Sequence, residues 1–332
     1  MKLRLSVAMS ANPRTWPILD GRVRADGIEW VTSTVAPSEL FWRQLRFGDF
    51  DVSEMSMSSL MMVLAQGNRD WIGLPIFTTR RFFHTWILVR RDAGIERPQD
   101  MRGKRVGVPE YQQTAALWAR GVLQHEFGVH PGEMEFWMER LPSHSHAYAA
   151  HFVPPPGVTI NQIPAERNIG AMLLEGELDA TLLYIRAHPG DLVDRSHVDL
   201  AGHPAIAPLF RDTLAEGVRY FRKTGIFPIN HGMVIRRELA EKHPWATLNI
   251  YKAFEEAAAL AERERAIHTE YHILTGALPA EAADALRQPA IRHGVVANRK
   301  TLDTAAQMSM EQGLTPRQLP LDEIFAANVL EQ

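Results

Sequence analysis

The chain has 332 residues and is 45% hydrophobic and 23% charged, which suits a soluble protein large enough for two domains. Its 36 Lys and Arg against 39 Asp and Glu leave a formal charge of −3, which excludes a broad basic face for nucleic acid. With no cysteine, disulfides, thiolate nucleophiles, zinc fingers and iron–sulfur clusters are excluded as well.

In Leu3–Met9 apolar residues alternate with Arg4 and Ser6, the period of a strand rather than the continuous apolar run of a leader. No stretch approaches the ~20 apolar residues of a membrane span. A cytoplasmic protein that does not enter the membrane is expected. The turn dipeptides Asp20-Gly21 and Asp26-Gly27 precede a strand at Ile28–Ser33, and Pro37–Phe47 reads as a helix opened by its proline. A short strand at Phe50–Met55, a helix at Ser58–Gln66 closed by Gly67, and strands at Trp71–Phe77 and Thr85–Val89 follow. This βα alternation predicts a mostly parallel sheet wrapped by helices.

A second unit of the same kind begins near residue 98. Its predicted elements are strands at Lys104–Val108, Glu135–Met138, Val158–Ile163 and Asp179–Tyr184, with helices at Thr114–Phe127 and Ile169–Leu174. Two irregular stretches, 141–157 and 186–212, interrupt it. Gly232–Ile235 reads as a returning strand, and a long helix from Trp245 to Ile267 opens a helical C-terminal third. The run Glu262-Arg263-Glu264-Arg265 reads as a solvated helix face. The expected boundaries are 1–90 plus 231–332 for a discontinuous first lobe, and 91–230 for an inserted second lobe.

Several side chains suit chemistry. The turn Glu110-Tyr111-Gln112-Gln113-Thr114 joins a strand to a helix, whose free N–H groups and dipole favour an anion. Ser56 and Ser58 lie in a second hydroxyl-rich strand-to-helix turn, where capping is the simpler role. Arg80 and Arg81 end a strand, and a guanidinium fork matches a carboxylate. Arg14, in the loop after the first strand, either joins them or stays a surface arginine. His84 and His231 flank the expected crossovers, and imidazole exchanges protons near neutral pH. Among the 14 histidines, the cluster His144, His146 and His151 lacks carboxylates at ligand spacing, so no metal is expected.

The pieces Asp20-Gly21-Arg22-Val23, Phe50-Asp51-Val52-Ser53-Glu54-Met55-Ser56, Arg80 with Phe82 and His84, Gly103–Gln112, Gly176–Ala180 and Pro228-Ile229-Asn230-His231 together resemble the 4,5-dihydroxyphthalate decarboxylase family. The resemblance covers nearly the whole chain. The chain departs from the family's usual residues at Thr78-Thr79, Asn230 and loop 141–157. The resemblance implies an α/β, two-lobed fold of the type II periplasmic-binding-protein kind with a ligand cleft between the lobes. It further implies non-oxidative decarboxylation of a hydroxylated, phthalate-like aromatic acid by protonation of the ipso carbon. His84 and His231 would be the catalytic pair. Arg80, Arg14, Ser56, Ser58, Glu110, Tyr111, Gln112, Thr114, Tyr184 and Asn230 would bind the substrate. That chemistry requires neither pyridoxal phosphate nor flavin, so no cofactor is expected, and the partner is a small aromatic carboxylate. Self-association is left open. The alternatives on the same scaffold are a solute-binding protein serving an ABC transporter, and another lyase of the chorismate dehydratase kind.

Overall fold

A computed structural model describes residues 2–278 and 292–332 of the chain. The stretch 279–291, part of the expected helical C-terminal third, lies outside the described residues.

Two sheets form the frame. The first contains β1 (Leu3–Met9), β2 (Ile28–Thr34), β3 (Val52–Ser56) and β4 (Trp71–Arg80), joined by the returning strand β11 (Ile229–Arg236), in the order β2-β1-β3-β11-β4. The second contains β5 (Leu88–Arg90), β6 (Arg105–Val108), β7 (Glu135–Met138), β8 (Thr159–Gln162), β9 (Ala180–Thr181) and β10 (Ile206–Pro208), in the order β10-β5-β9-β6-β7-β8. β1, β2 and β3 run parallel, and so do β6 through β8 and β9. Strand β11 inserts antiparallel between β3 and β4. The two-lobed α/β architecture expected from the sequence is present.

The helices that position the cleft sit where local signals put them. Helix Pro37–Phe47 starts on its proline and ends on Gly48 at φ 63°. Helix Thr114–Phe127 ends on Gly128 at φ 68° and buries every residue from Thr114 to Leu123. The return strand is longer than the expected Gly232–Ile235, and the long helix longer than Trp245–Ile267, running Pro244–Leu274. Arg265 pairs with Glu262 and Arg22 with Glu264, on the half-exposed face the charge run predicted.

One boundary moves. Residues 85–89 do not form one strand. Phe83–Trp86 is a 3-10 turn, and Leu88–Arg90 already pairs with β9 and β10 of the second sheet. The first crossing therefore occupies 81–87, before Arg90. A third connection comes from helix Arg299–Glu311, packed against both Met57–Ala65 and Thr114–Phe127. Gln312, just beyond it, accepts from Arg120 Nε (2.8 Å) and donates to the Leu117 carbonyl (2.9 Å), which ties the C-terminal segment to the second lobe.

Candidate active site

A cavity of about 610 Å³ lies between the sheets. It opens where parallel strands end: Ser10 follows β1, Ser56 closes β3, Gln113 and Thr114 follow β6, Arg140 follows β7, and Tyr184 follows β9. This is the usual ligand position in open α/β sheets. Phe41, Phe83, Trp86, Leu183 and Ile185 give it apolar walls.

At its floor His231 Nδ1 lies 2.8 Å from Glu54 Oε1, although the two are 177 residues apart in sequence. Strand geometry explains the meeting. Glu54 and Ser56 are two residues apart on β3 and share a face, and His231 is the direct partner of Ser56 on β11. Register shifts on both sides of His231 break the alternation of β11, so that adjacent Asn230 and His231 both line the cavity. A Cβ at Gly232 would stand 2.6 Å from Met57 Sδ, so a larger residue there would have to displace the Met57 side chain.

Glu54 is fully buried, with its carboxylate saturated. It accepts from Ser10 N (2.8 Å), Ser10 Oγ (2.6 Å) and Thr78 Oγ1 (2.6 Å) besides His231. Burial by itself raises its pKa. The His231 hydrogen bond and charge, with the two hydroxyls, more than offset that and hold it at about 2. A fixed carboxylate on Nδ1 orients the imidazole. Asn230 Nδ2 donates to His231 Nε2, the other ring nitrogen, at 2.7 Å, and the ring packs edge-on against Phe41.

The lining carries Arg14, Arg80, Arg81, Arg140 and Arg186, and no aspartate or glutamate among its described residues. Arg140 is ion-paired with Glu110 (3.0 Å) and Asp194 (2.8 Å), and Arg186 with Asp199 (2.6 Å). Arg14, Arg80 and Arg81 form no ion pair among the described residues. Arg14 spends only Nε, on the Thr78 carbonyl (2.9 Å), leaving the end of its fork uncommitted. Arg80 donates to the carbonyls of Phe227 (3.3 Å) and Arg292 (2.8 Å) and to Asn298, and burial pushes its pKa down to about 10. The expected clamp at Arg80 is thus largely spent on the C-terminal segment, though its charge remains unneutralised. Arg14, which sequence reasoning left undecided, presents the freer guanidinium. Arg81 lies 4.5 Å over the Trp86 ring.

Of the expected site residues, His231, Arg80, Arg14, Ser56, Thr114, Tyr184 and Asn230 line this cavity. His84 does not. In a 3-10 turn residues i and i+3 share a side, so Phe83 and Trp86 face the cleft while His84 turns away. It is fully buried, 3.1 Å from Glu216 Oε1, with Phe82, Phe210 and Tyr220 around the ring. Glu110, Tyr111, Gln112 and Ser58 also lie behind the wall. The Glu110 carboxylate is consumed by Arg140, Ser145 and the Ala147 N–H, and Gln112 Nε2 donates to it. Tyr111 stacks under the Arg120 guanidinium at 3.6 Å. Of the histidine cluster only His146 reaches the cavity. It donates Nε2 to the Ser38 carbonyl, and burial brings its pKa down to about 4, against the pull of Glu110.

Sequence reasoning missed Glu54, Phe41 and Arg140 as parts of the site, and of the pair Arg80 and Arg81 it singled out Arg80, whereas both line the cavity. Glu54 had a signal. A carboxylate inside a strand whose five residues are all buried must have partners, because unpaired buried charge is costly.

Residues 27–153 match a family model described as the phosphonate periplasmic substrate-binding protein of an ABC transporter. Among solved structures, the fold is similar to the aliphatic sulphonate binding protein SsuA from Escherichia coli (16% identity, TM-score 0.55, covering 98% of this chain and 92% of that one). It is similar also to the desulfurization enzyme DSZB (16% identity, TM-score 0.51, covering 98% and 97%). Likeness in sequence is higher to two proteins named 4,5-dihydroxyphthalate decarboxylase. One, from Pseudomonas putida, is 33% identical over 67% of this chain and 82% of its own length. The other, from Comamonas testosteroni, is 32% identical over 99% of this chain and 98% of its own length. A match of that extent places this chain in the 4,5-dihydroxyphthalate decarboxylase family.

Proposed function

We propose that the protein is a non-oxidative decarboxylase of a hydroxylated, phthalate-like aromatic acid, with 4,5-dihydroxyphthalate as the first substrate to try. The observation that carries this reading is a carboxylate-held imidazole facing a cavity with unpaired arginines and no acid among its described lining residues.

Loss of CO2 directly from an aromatic ring would leave an aryl carbanion. Protonating the ipso carbon first avoids it. Once the Asn230 amide turns its Nδ2 away from Nε2, His231, as imidazolium, delivers its Nε2 proton to that carbon, and the ring hydroxyl donates density as aromaticity is interrupted. The carbon–carbon bond then breaks, its electron pair restores the ring, and CO2 leaves. His231 recovers a proton from solvent. Glu54 holds the ring through Nδ1 and stabilises the cationic form, which places its effect on the chemical step. Arg14, with the unneutralised charges of Arg80 and Arg81, grips the carboxylate that stays. An arginine holding the departing carboxylate would stabilise the ground state, whose charge disappears as CO2 forms. Phe41 and Trp86 give the ring apolar walls.

The test is incubation of the purified protein with 4,5-dihydroxyphthalate and related hydroxylated dicarboxylates while following CO2. Release from at least one, abolished in His231→Gln, supports the reading. Tight binding of the dianions with no CO2 from any would transfer the protein to the solute-binding class.

A further inference from the structure

At the seam between the lobes, Ser56 and Ser58 of the first meet Thr114 and Gln112 of the second in a buried hydroxyl cluster. Ser56 Oγ also lies 3.4 Å from Ser58 Oγ, the longest contact of the cluster. One arrangement of the protons gives each of the contacts of 3.0 Å or shorter its own hydrogen bond. Ser58 Oγ donates to the Gln112 carbonyl, which has only lone pairs to offer. The 3.0 Å contact between Ser58 Oγ and Thr114 Oγ1 therefore uses the Thr114 proton. Thr114 Oγ1 also accepts the Ser58 N–H at 2.9 Å. With that proton spent, the 2.8 Å contact between Ser56 Oγ and Thr114 Oγ1 uses the Ser56 proton. Ser56 thus faces the cavity with lone pairs only. Although it is the N-cap residue of helix Met57–Ala65, its side chain makes no capping bond that would consume them.

We propose that Ser56 is the specificity-determining acceptor that reads a ring hydroxyl of the substrate; this deepens the decarboxylase reading and rests on it for the ligand class. Ser56 lies directly across the strand pair from His231, so a ring anchored there by its O–H lies beside the imidazole. The chain of hydroxyls ends on an amide carbonyl, which is no base, so it holds the phenolic proton rather than removing it. A site with a committed acceptor rejects an analogue lacking the donor, because a buried lone pair is then left unmet.

The experiment uses three acids, 3,4-dihydroxybenzoate (the ring left when 4,5-dihydroxyphthalate loses one carboxylate), benzoate and 3,4-dimethoxybenzoate, with Kd measured by calorimetry on the full-length wild type, Ser56→Ala and Thr114→Val. Wild type should prefer the hydroxylated acid by about 10- to 100-fold. Ser56→Ala should erase that preference while leaving the benzoate Kd within about threefold, since benzoate has no donor to lose. Thr114→Val frees the Ser56 proton, so 3,4-dimethoxybenzoate, which only accepts, should bind it better than it binds wild type. Equal weakening of both acids by Ser56→Ala overturns the proposal. So does a preference that survives it, or a wild type that shows none. Because these are binding measurements, absence of CO2 release would defeat the decarboxylase reading without touching this result.

Discussion

Among the four histidine–glutamate pairs of the described residues, two invite comparison, His231–Glu54 at 2.8 Å and His84–Glu216 at 3.1 Å. Both carboxyls are held at about 2 against the opposing effect of burial, Glu54 by His231 and hydroxyls, Glu216 by Arg219 and His84. What separates the pairs is the surroundings. His231 is 12% exposed and lines the arginine-rich cavity, whereas His84 is 0% exposed inside a ring of aromatic side chains. Of two pairs suited to proton transfer, only the one open to the cavity can meet a ligand.

The largest expected effect tests that contrast directly. His231→Gln and Glu54→Gln should each lower kcat by about 10²- to 10⁴-fold in a CO2-release assay, with KM changed little. Next comes the charge around one pair and not the other. Arg14→Ala should raise KM by roughly 10- to 100-fold, as expected for a charge-assisted hydrogen bond, with kcat nearly preserved. His84→Gln should leave kcat within about threefold and lower stability by about 1–3 kcal/mol, the cost of an unmet buried partner, read as a drop in Tm. Should His84→Gln fall as far as His231→Gln, the contrast between the pairs is broken.

The smallest effect is on the acid limb of stability. Both glutamates have folded pKa values below the ordinary 4.5, so the stability they add is present above about 4.5 and is lost as pH falls toward 2. His146, lowered from 6.5 to about 4 chiefly by burial, adds a loss that begins as pH drops below 6.5. Glu54→Gln and Glu216→Gln should both flatten the profile below pH 4.5 in chemical denaturation, while only the first also affects turnover.

The parts legible in sequence were those governed by local signals. Helices Pro37–Phe47 and Thr114–Phe127 begin and end at the predicted residues because a proline opens the first and a left-handed glycine follows each. Strand Leu3–Met9 is likewise where alternation placed it, and Glu135–Met138 keeps its expected bounds. What sequence could not place was orientation set by the rest of the chain. His84 and Phe83 are neighbours, and only the pitch of a 3-10 turn decides which one meets the cleft. Glu54 acquires its role from a strand 177 residues downstream. Arg80 and Arg14 exchanged expected importance because a C-terminal carbonyl and Asn298 claim Arg80.

The position of β11 has a consequence for biosynthesis. All strands of the second sheet lie within residues 88–208, so that sheet can assemble while the remainder of the chain is still being made. The first sheet cannot. Until residues 229–236 emerge from the ribosome, β3 and β4 have no β11 between them, and each presents an unpaired edge. This long-range closure is the kind of contact that forms slowly. The strand that seals the sheet is also the one that carries His231, so a nascent or truncated chain that has not finished its first lobe lacks the pairing of that imidazole with Glu54.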